Sequence, residues 1–170
     1  MKILALDLSL SSTGYSIIDE ENNVIMYGVI NTIPKDKEFI RIYKIAVKCK
    51  ELALEYKVDY IICENQFFGT NPKTGLTLSK LLGAVGYIAI ESNIPIELIT
   101  PAQGRKMLMN NGKAKKEEVA NFIKENYIDI GEYSDKTIKT KGIQKTSDMY
   151  DSMAVGFAFI KKWKLNKDKI

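Results

Sequence analysis

Four carboxylates hold the chemistry this chain could do: Asp7, Glu64, Asp148 and Asp151. Asp7 closes the apolar run Ile3-Leu4-Ala5-Leu6 and is followed by small hydroxyl residues and a glycine. Glu64 closes a second short apolar run, 59–63. A carboxylate that ends a buried strand lies where open α/β sheets form their sites. Asp148 and Asp151 stand three apart at the start of a helical stretch, so their side chains share one face. Each has a bland explanation. Asp7 suits a turn, Glu64 suits a lysine partner, Asp148 looks like an N-cap, and Asp151 is favourable in a first helical turn. Together they ask for more. Two like charges about 4 Å apart repel by roughly 4 kcal/mol at an effective dielectric near 20, so a cluster of four is a poor structural device. It becomes sensible around divalent cations. Oxygen-only donors favour Mg²⁺ or Mn²⁺ over Zn²⁺, and two such ions roughly 4 Å apart can activate a water and stabilise the leaving oxygen of a phosphodiester.

These residues need elements to hold them. Ile3–Asp7 reads as a strand buried on both faces. Gly14–Ile18 and Val24–Thr32 read as two more strands, joined by the polar turn at 19–23 into a three-strand antiparallel meander. A helical stripe spans Lys37–Tyr56. A strand over Asp59–Cys63 runs into Glu64, and Gly69–Gly75 reads as a loop. Leu76–Ser92 reads as a helix whose small residues, Gly83, Ala84, Gly86 and Ala89, invite close approach of another element. Ile94–Ile99 is a strand ended by Pro101, which opens a helix over Pro101–Met109. Helices over Lys115–Tyr127 and Asp148–Trp163 flank a polar, lysine-rich segment at 128–147. The order predicts an α/β fold: a mixed five-stranded sheet covered by helices.

Composition narrows the function. Of the 170 residues, 45% are hydrophobic and 27% charged, as in a globular domain long enough to bury a core. No histidine is present. That removes Ser-His-Asp and Cys-His nucleophile schemes and histidine-bound zinc. Cys49 and Cys63 fall in apolar periods without a CxxC partner, which suggests reduced core residues and a cytoplasmic setting. The apolar start is too short for a signal peptide, and no run approaches a membrane span. The net charge is +4. Lysines gather at 113–116 and 136–145 and in the tail from Lys161 to Lys169, which favours phosphate contact over an idle solvated face.

The stretches LALDLSLSSTGYSII, DYIICENQFF, KLLGAVGYIAIE and DMYDSMAVGFAF, in that order and spacing, resemble the RuvC-type Holliday junction resolvases of the ribonuclease H-like superfamily. The resemblance covers about residues 2–160. It implies the ribonuclease H-like sheet and a single nuclease domain at 1–164 with a basic tail at 165–170. It also implies catalytic metal ligands at Asp7, Glu64, Asp148 and Asp151, holding two Mg²⁺ ions for which Mn²⁺ substitutes. The family's wedge aromatic falls on Phe67, beside Phe68, where it would unstack bases at the crossover. Its DNA-side lysines fall on Lys106 and Lys116. The implied activity is paired nicking of four-way and other branched DNA by a homodimer, through direct attack of water, with no membrane and no nucleotide cofactor. A two-fold dimer matches the symmetry of a four-way junction.

The chain departs from the family in several places. Leu8-Ser9 stands where the family usually has Pro-Gly. Gln66 lies one place later than the family glutamine, and an apolar stretch around Val85 replaces a helical arginine. The segment at 128–147 is long. These departures suit a divergent member, such as a phage-encoded one acting in a bacterial host cytoplasm. Other readings are weaker. The opening also resembles the phosphate-binding strand of actin-like ATPases and sugar kinases, but 170 residues are too few for their two domains and no second phosphate loop appears. A non-catalytic branched-DNA-binding module would have no use for all four acids. A ribonuclease H-like nuclease for other structured nucleic acid stays open at this point.

Overall fold

The computed structural model describes residues 1–65, 72–132 and 146–167. Its strands are β1 (Lys2–Asp7), β2 (Ser12–Asp19), β3 (Val24–Asn31), β4 (Tyr60–Glu64) and β5 (Ile96–Ile99). Its helices are α1 (Glu38–Glu55), α2 (Pro72–Glu91), α3 (Pro101–Met109), α4 (Lys116–Asn126) and α5 (Thr146–Lys167). The strands form one five-stranded sheet in the order β3-β2-β1-β4-β5. The first three are antiparallel, as the turn-rich opening predicts, while β4 and β5 run parallel to β1.

The sheet divides the core in two. Leu4, Leu6, Ile17, Ile61 and Cys63 pack against α1 and α2. Ile3, Ile18 and Ile62 point the other way, into α3, α4 and α5. Because strand side chains alternate, Asp7 follows Ile3 and Ala5 onto the α5 face, and Glu64 follows Ile62. Register does the rest. Leu6 lies beside Cys63 in the parallel pair, so Asp7 and Glu64 end neighbouring strands at the same edge. The β4–β5 ladder continues past the glutamate, with the Asn65 amide donating to the Ile99 carbonyl at 2.8 Å.

Helix α5 lies close against β1 and β2 because two glycines allow it. A Cβ at Gly14 would stand 1.9 Å from the Asp148 carbonyl oxygen, and one at Gly156 would stand 2.7 Å from Ile18 Cδ1. Gly14 is the register partner of Asp7. The close approach at Gly14 therefore brings the first turn of α5 to the end of β1.

Several boundaries differ from the sequence reading. Helix α2 begins at Pro72, so residues 72–75 are helical rather than loop, a start that a proline's fixed φ favours. Strand β5 begins at Ile96, because Asn93 at φ 56° ends the preceding turn in the left-handed region and Pro95 has no amide to donate. Helix α5 begins at Thr146, which places Asp148 inside the first turn and not at the N-cap. It runs on to Lys167, so residues 165–167, expected in a basic tail, are helical. The small-residue side of α2 is divided: Ala89 is buried and Ala84 packs against the core, while a Cβ at Gly83 or Gly86 would meet nothing within 4 Å among the described residues. Both cysteines are buried free thiols, and burial pushes Cys49 up to about 12.

Candidate active site

The four carboxylates come from three elements and meet at one edge of the sheet. Asp7 is only 6% exposed. Its carboxyl is held well above the usual carboxylate range, first by burial, then by the negative charges of Asp151 and Glu64, with Asp148 adding to them. Lys116 acts in the opposite direction. A buried acid raised by three neighbouring acids is the electrostatic sign of a site that wants cations.

Lys116 is the first residue of α4, where a positive side chain works against the helix dipole. Its placement makes sense only through its partner. The ammonium lies 2.5 Å from Asp151 Oδ2. Burial alone would lower its pKa, but the charge of Asp151, the hydrogen bond to it and the charges of Asp7 and Glu64 raise it instead. Lys116 is thus a counter-charge of the acidic cluster.

Asp148 is held differently. It is 7% exposed. Ser12 Oγ donates to its Oδ2 at 2.6 Å, and Ser147 Oγ lies 3.3 Å from its Oδ1. The loop joining β1 to β2 is also fixed. Thr13 Oγ1 donates to the Ser9 carbonyl at 2.7 Å and accepts from the Ser9 amide at 3.2 Å. Arg41 donates to the Leu10 carbonyl, Ser11 Oγ and Thr32 Oγ1. Leu8-Ser9, which departs from the family's Pro-Gly, therefore sits in a braced turn.

The donor set is all oxygen, which suits Mg²⁺, Mn²⁺ or Ca²⁺ and not a thiolate- or imidazole-bound ion. Among the described residues no three acidic side chains converge into a finished coordination shell.

Of the pockets that border the cluster, two reach Lys116. One is lined by Glu64, Asp151, Lys116, Arg105 and the Thr100-Pro101 corner. The other runs from Asp7 and Lys116 past Ser9 and Ser11 to Lys73 and Thr74. Lys106 lines neither. It belongs to a separate groove with Met107, Lys161 and Leu165. The reason is helical period: successive residues turn by about 100°. On α3, Gly104 faces Ile99 and Ala158, Arg105 comes next and borders the carboxylates, and Lys106 is carried round the far side. Arg105 is the residue the sequence reading passed over. Phe67 and Phe68 lie outside the described residues, as do the lysines from Lys136 to Lys145.

The geometry can be set beside known proteins. The family model described as crossover junction endodeoxyribonuclease RuvC matches residues 3–156. The chain belongs to the RuvC family. A RuvC from Helicobacter pylori is 31% identical over 170 residues, covering 98% of this chain and all of that protein. One from Syntrophomonas wolfei is 27% identical, covering 98% and 92%. Among solved structures, Thermus thermophilus RuvC superposes with a TM-score of 0.81 at 20% identity, covering 98% of this chain and 97% of that one. The same protein in complex with a Holliday junction substrate gives 0.79 at 19% identity, covering 97% and 96%. The sheet and helices are thus those of the RuvC fold. As a family member the chain is an endonuclease of crossover junctions in DNA, and its chemistry depends on a divalent metal.

Proposed function

We propose that Asp7, Glu64, Asp148 and Asp151 hold two Mg²⁺ ions, replaceable by Mn²⁺, and that the chain hydrolyses one phosphodiester at a four-way junction. The observation that carries this reading is Asp7, buried at the end of the central strand with three other acids raising its carboxyl. Divalent ions there would supply charge neutralisation of the scissile phosphate and a more acidic water. The chain's own residues do the positioning. Glu64 and Asp7 end adjacent strands and cannot drift apart without breaking the parallel ladder. Lys116 and Arg105 border the acids and provide cations for phosphate oxygens beside the cut. Ser9, Ser11, Lys73 and Thr74 line the groove by which a strand would leave Asp7. We assign Phe67, with Phe68 beside it, to unstacking bases at the crossover.

Junctions are two-fold objects, and a second copy of the chain supplies the second cut. The uncovered side of α2, where Tyr87 is 70% and Ile90 68% exposed beside Gly83 and Gly86, is the face we assign to that contact. Small residues there let a facing helix come close. The activity belongs in the bacterial cytoplasm, where thiols such as Cys49 and Cys63 stay reduced.

The test separates cutting from binding. Asp7→Asn, Glu64→Gln and Asp151→Asn should each abolish junction cutting in Mg²⁺ while gel-shift affinity for the intact junction stays within about threefold of the parent, because shape is kept and a metal ligand is lost. Near-normal cutting by any of them removes that residue from the site.

A further inference from the structure

We propose that Ser12 is a positioning residue for the Asp148 carboxylate: its hydroxyl, fixed at the start of β2, holds that carboxylate in a single orientation for cation binding. The inference rests on Asp148 being a metal ligand. Ser12 Oγ donates to Asp148 Oδ2 at 2.6 Å across 136 residues of chain. Hydroxyl-to-carboxylate bonds of this length are charge-assisted and strong. The acceptor is 7% exposed, so loss of the donor would not be made good freely by bulk water.

The backbone explains why the contact is fixed. Two residues along β2, Gly14 lets the Asp148 carbonyl oxygen come within 1.9 Å of where a Cβ would stand. Strand and helix are therefore pressed together beside the hydrogen bond. The neighbouring hydroxyls have other duties. Ser11 accepts from Arg41, and Thr13 bonds back to Ser9. Each successive hydroxyl thus has its own partner, and only that of Ser12 reaches an acid of the site.

The chemistry of the donor matters. Asp151 is held by the ammonium of Lys116, a cation that competes with a metal for the same charge. Ser12 meets Asp148 with a neutral hydroxyl. A neutral donor orients the carboxylate without itself neutralising it, which is the usual work of groups behind metal ligands.

The experiment measures Mn²⁺ binding to the DNA-free protein by electron paramagnetic resonance, so that it does not depend on cutting. Four variants are compared with the parent: Ser12→Thr, Ser12→Val, Ser12→Ala and Asp148→Asn. Threonine and valine are nearly isosteric and both suit a strand, so that pair isolates the hydroxyl from packing. Ser12→Val and Ser12→Ala should weaken Mn²⁺ binding about tenfold or more, the usual scale for loss of a group behind a metal ligand. Ser12→Thr should bind like the parent. Valine and threonine variants that bind Mn²⁺ equally well, while Asp148→Asn is impaired, would overturn the role of Ser12 alone. An Asp148→Asn protein that binds like the parent would overturn the ligand assignment, and the Ser12 inference with it.

Discussion

The strand carboxylates and the helix carboxylates reach the same site by different means. Asp7 and Glu64 end neighbouring parallel strands, and backbone hydrogen bonds fix their spacing. Asp148 and Asp151 stand in the first two turns of α5 and depend on side-chain and packing contacts: Ser12, Lys116 and the glycine at 14. The strand pair is rigid by construction. The helix pair depends on replaceable contacts, those of Ser12 and Lys116 and the close approach at Gly14 among them. Single substitutions can disturb the helix pair without touching the strand pair.

The largest effect should come from Gly14→Ala. The new methyl would meet backbone, the Asp148 carbonyl oxygen and carbon at 1.9 and 2.4 Å, and backbone cannot rotate away. Overpacking costs typically 1–3 kcal/mol, which at this length is a fall in melting temperature of roughly 2–12 °C. Cutting should fall further than stability explains, because α5 must move off β2 and carry both its acids. A variant that melts and cuts like the parent would show that α5 has slack against the sheet.

Lys116→Ala sharpens the comparison from the cation side. Lys116 neutralises Asp151 and opposes the charge on Asp7. Its removal should lower cutting several-fold and yet tighten Mn²⁺ binding in the absence of DNA, as titration calorimetry would read. Weaker Mn²⁺ binding would mean that the lysine helps to build the metal site.

A smaller effect separates two neighbours on α3. Arg105 borders the acids and Lys106 does not. Arg105→Ala should flatten the slope of log K against log salt for junction binding by about 0.9, the value of one phosphate contact. Lys106→Ala should leave the slope and the cutting rate near those of the parent. Interchanged results would return Lys106 to the DNA face.

Much of this arrangement is legible in the sequence because periodicity is a strong signal where burial is complete. The antiparallel opening, the strand ending at Asp7 and the pairing of Asp148 with Asp151 all follow from runs and spacing. A glycine inside a strand also marks close backbone approach, so Gly14 carried a readable hint. Ser12 carried none, since its partner lies 136 residues away and a serine in a hydroxyl-rich turn has many local uses. Arg105 borders the acids one residue before Lys106, and one residue on a helix turns a side chain by about 100°, a step that the spacing of the motifs does not resolve. The start of α5 was misplaced because Asp148 fits an N-cap by type. What sets that role aside is the helix start two residues earlier, at Thr146.

The most direct measurement needs no DNA. Thermal melting of the parent and of Asp7→Asn is followed with chelator and then with Mn²⁺. Without metal, the buried Asp7 carboxylate is opposed by burial and by Asp151, Glu64 and Asp148, so neutralising it should raise the melting temperature. A relief of about 1 kcal/mol would appear as roughly 2–4 °C. Mn²⁺ should then raise the parent's melting temperature by mass action on the native state and raise that of Asp7→Asn less. If Asp7→Asn melts lower than the parent in chelator and responds equally to Mn²⁺, Asp7 is a structural turn residue and the metal site is elsewhere.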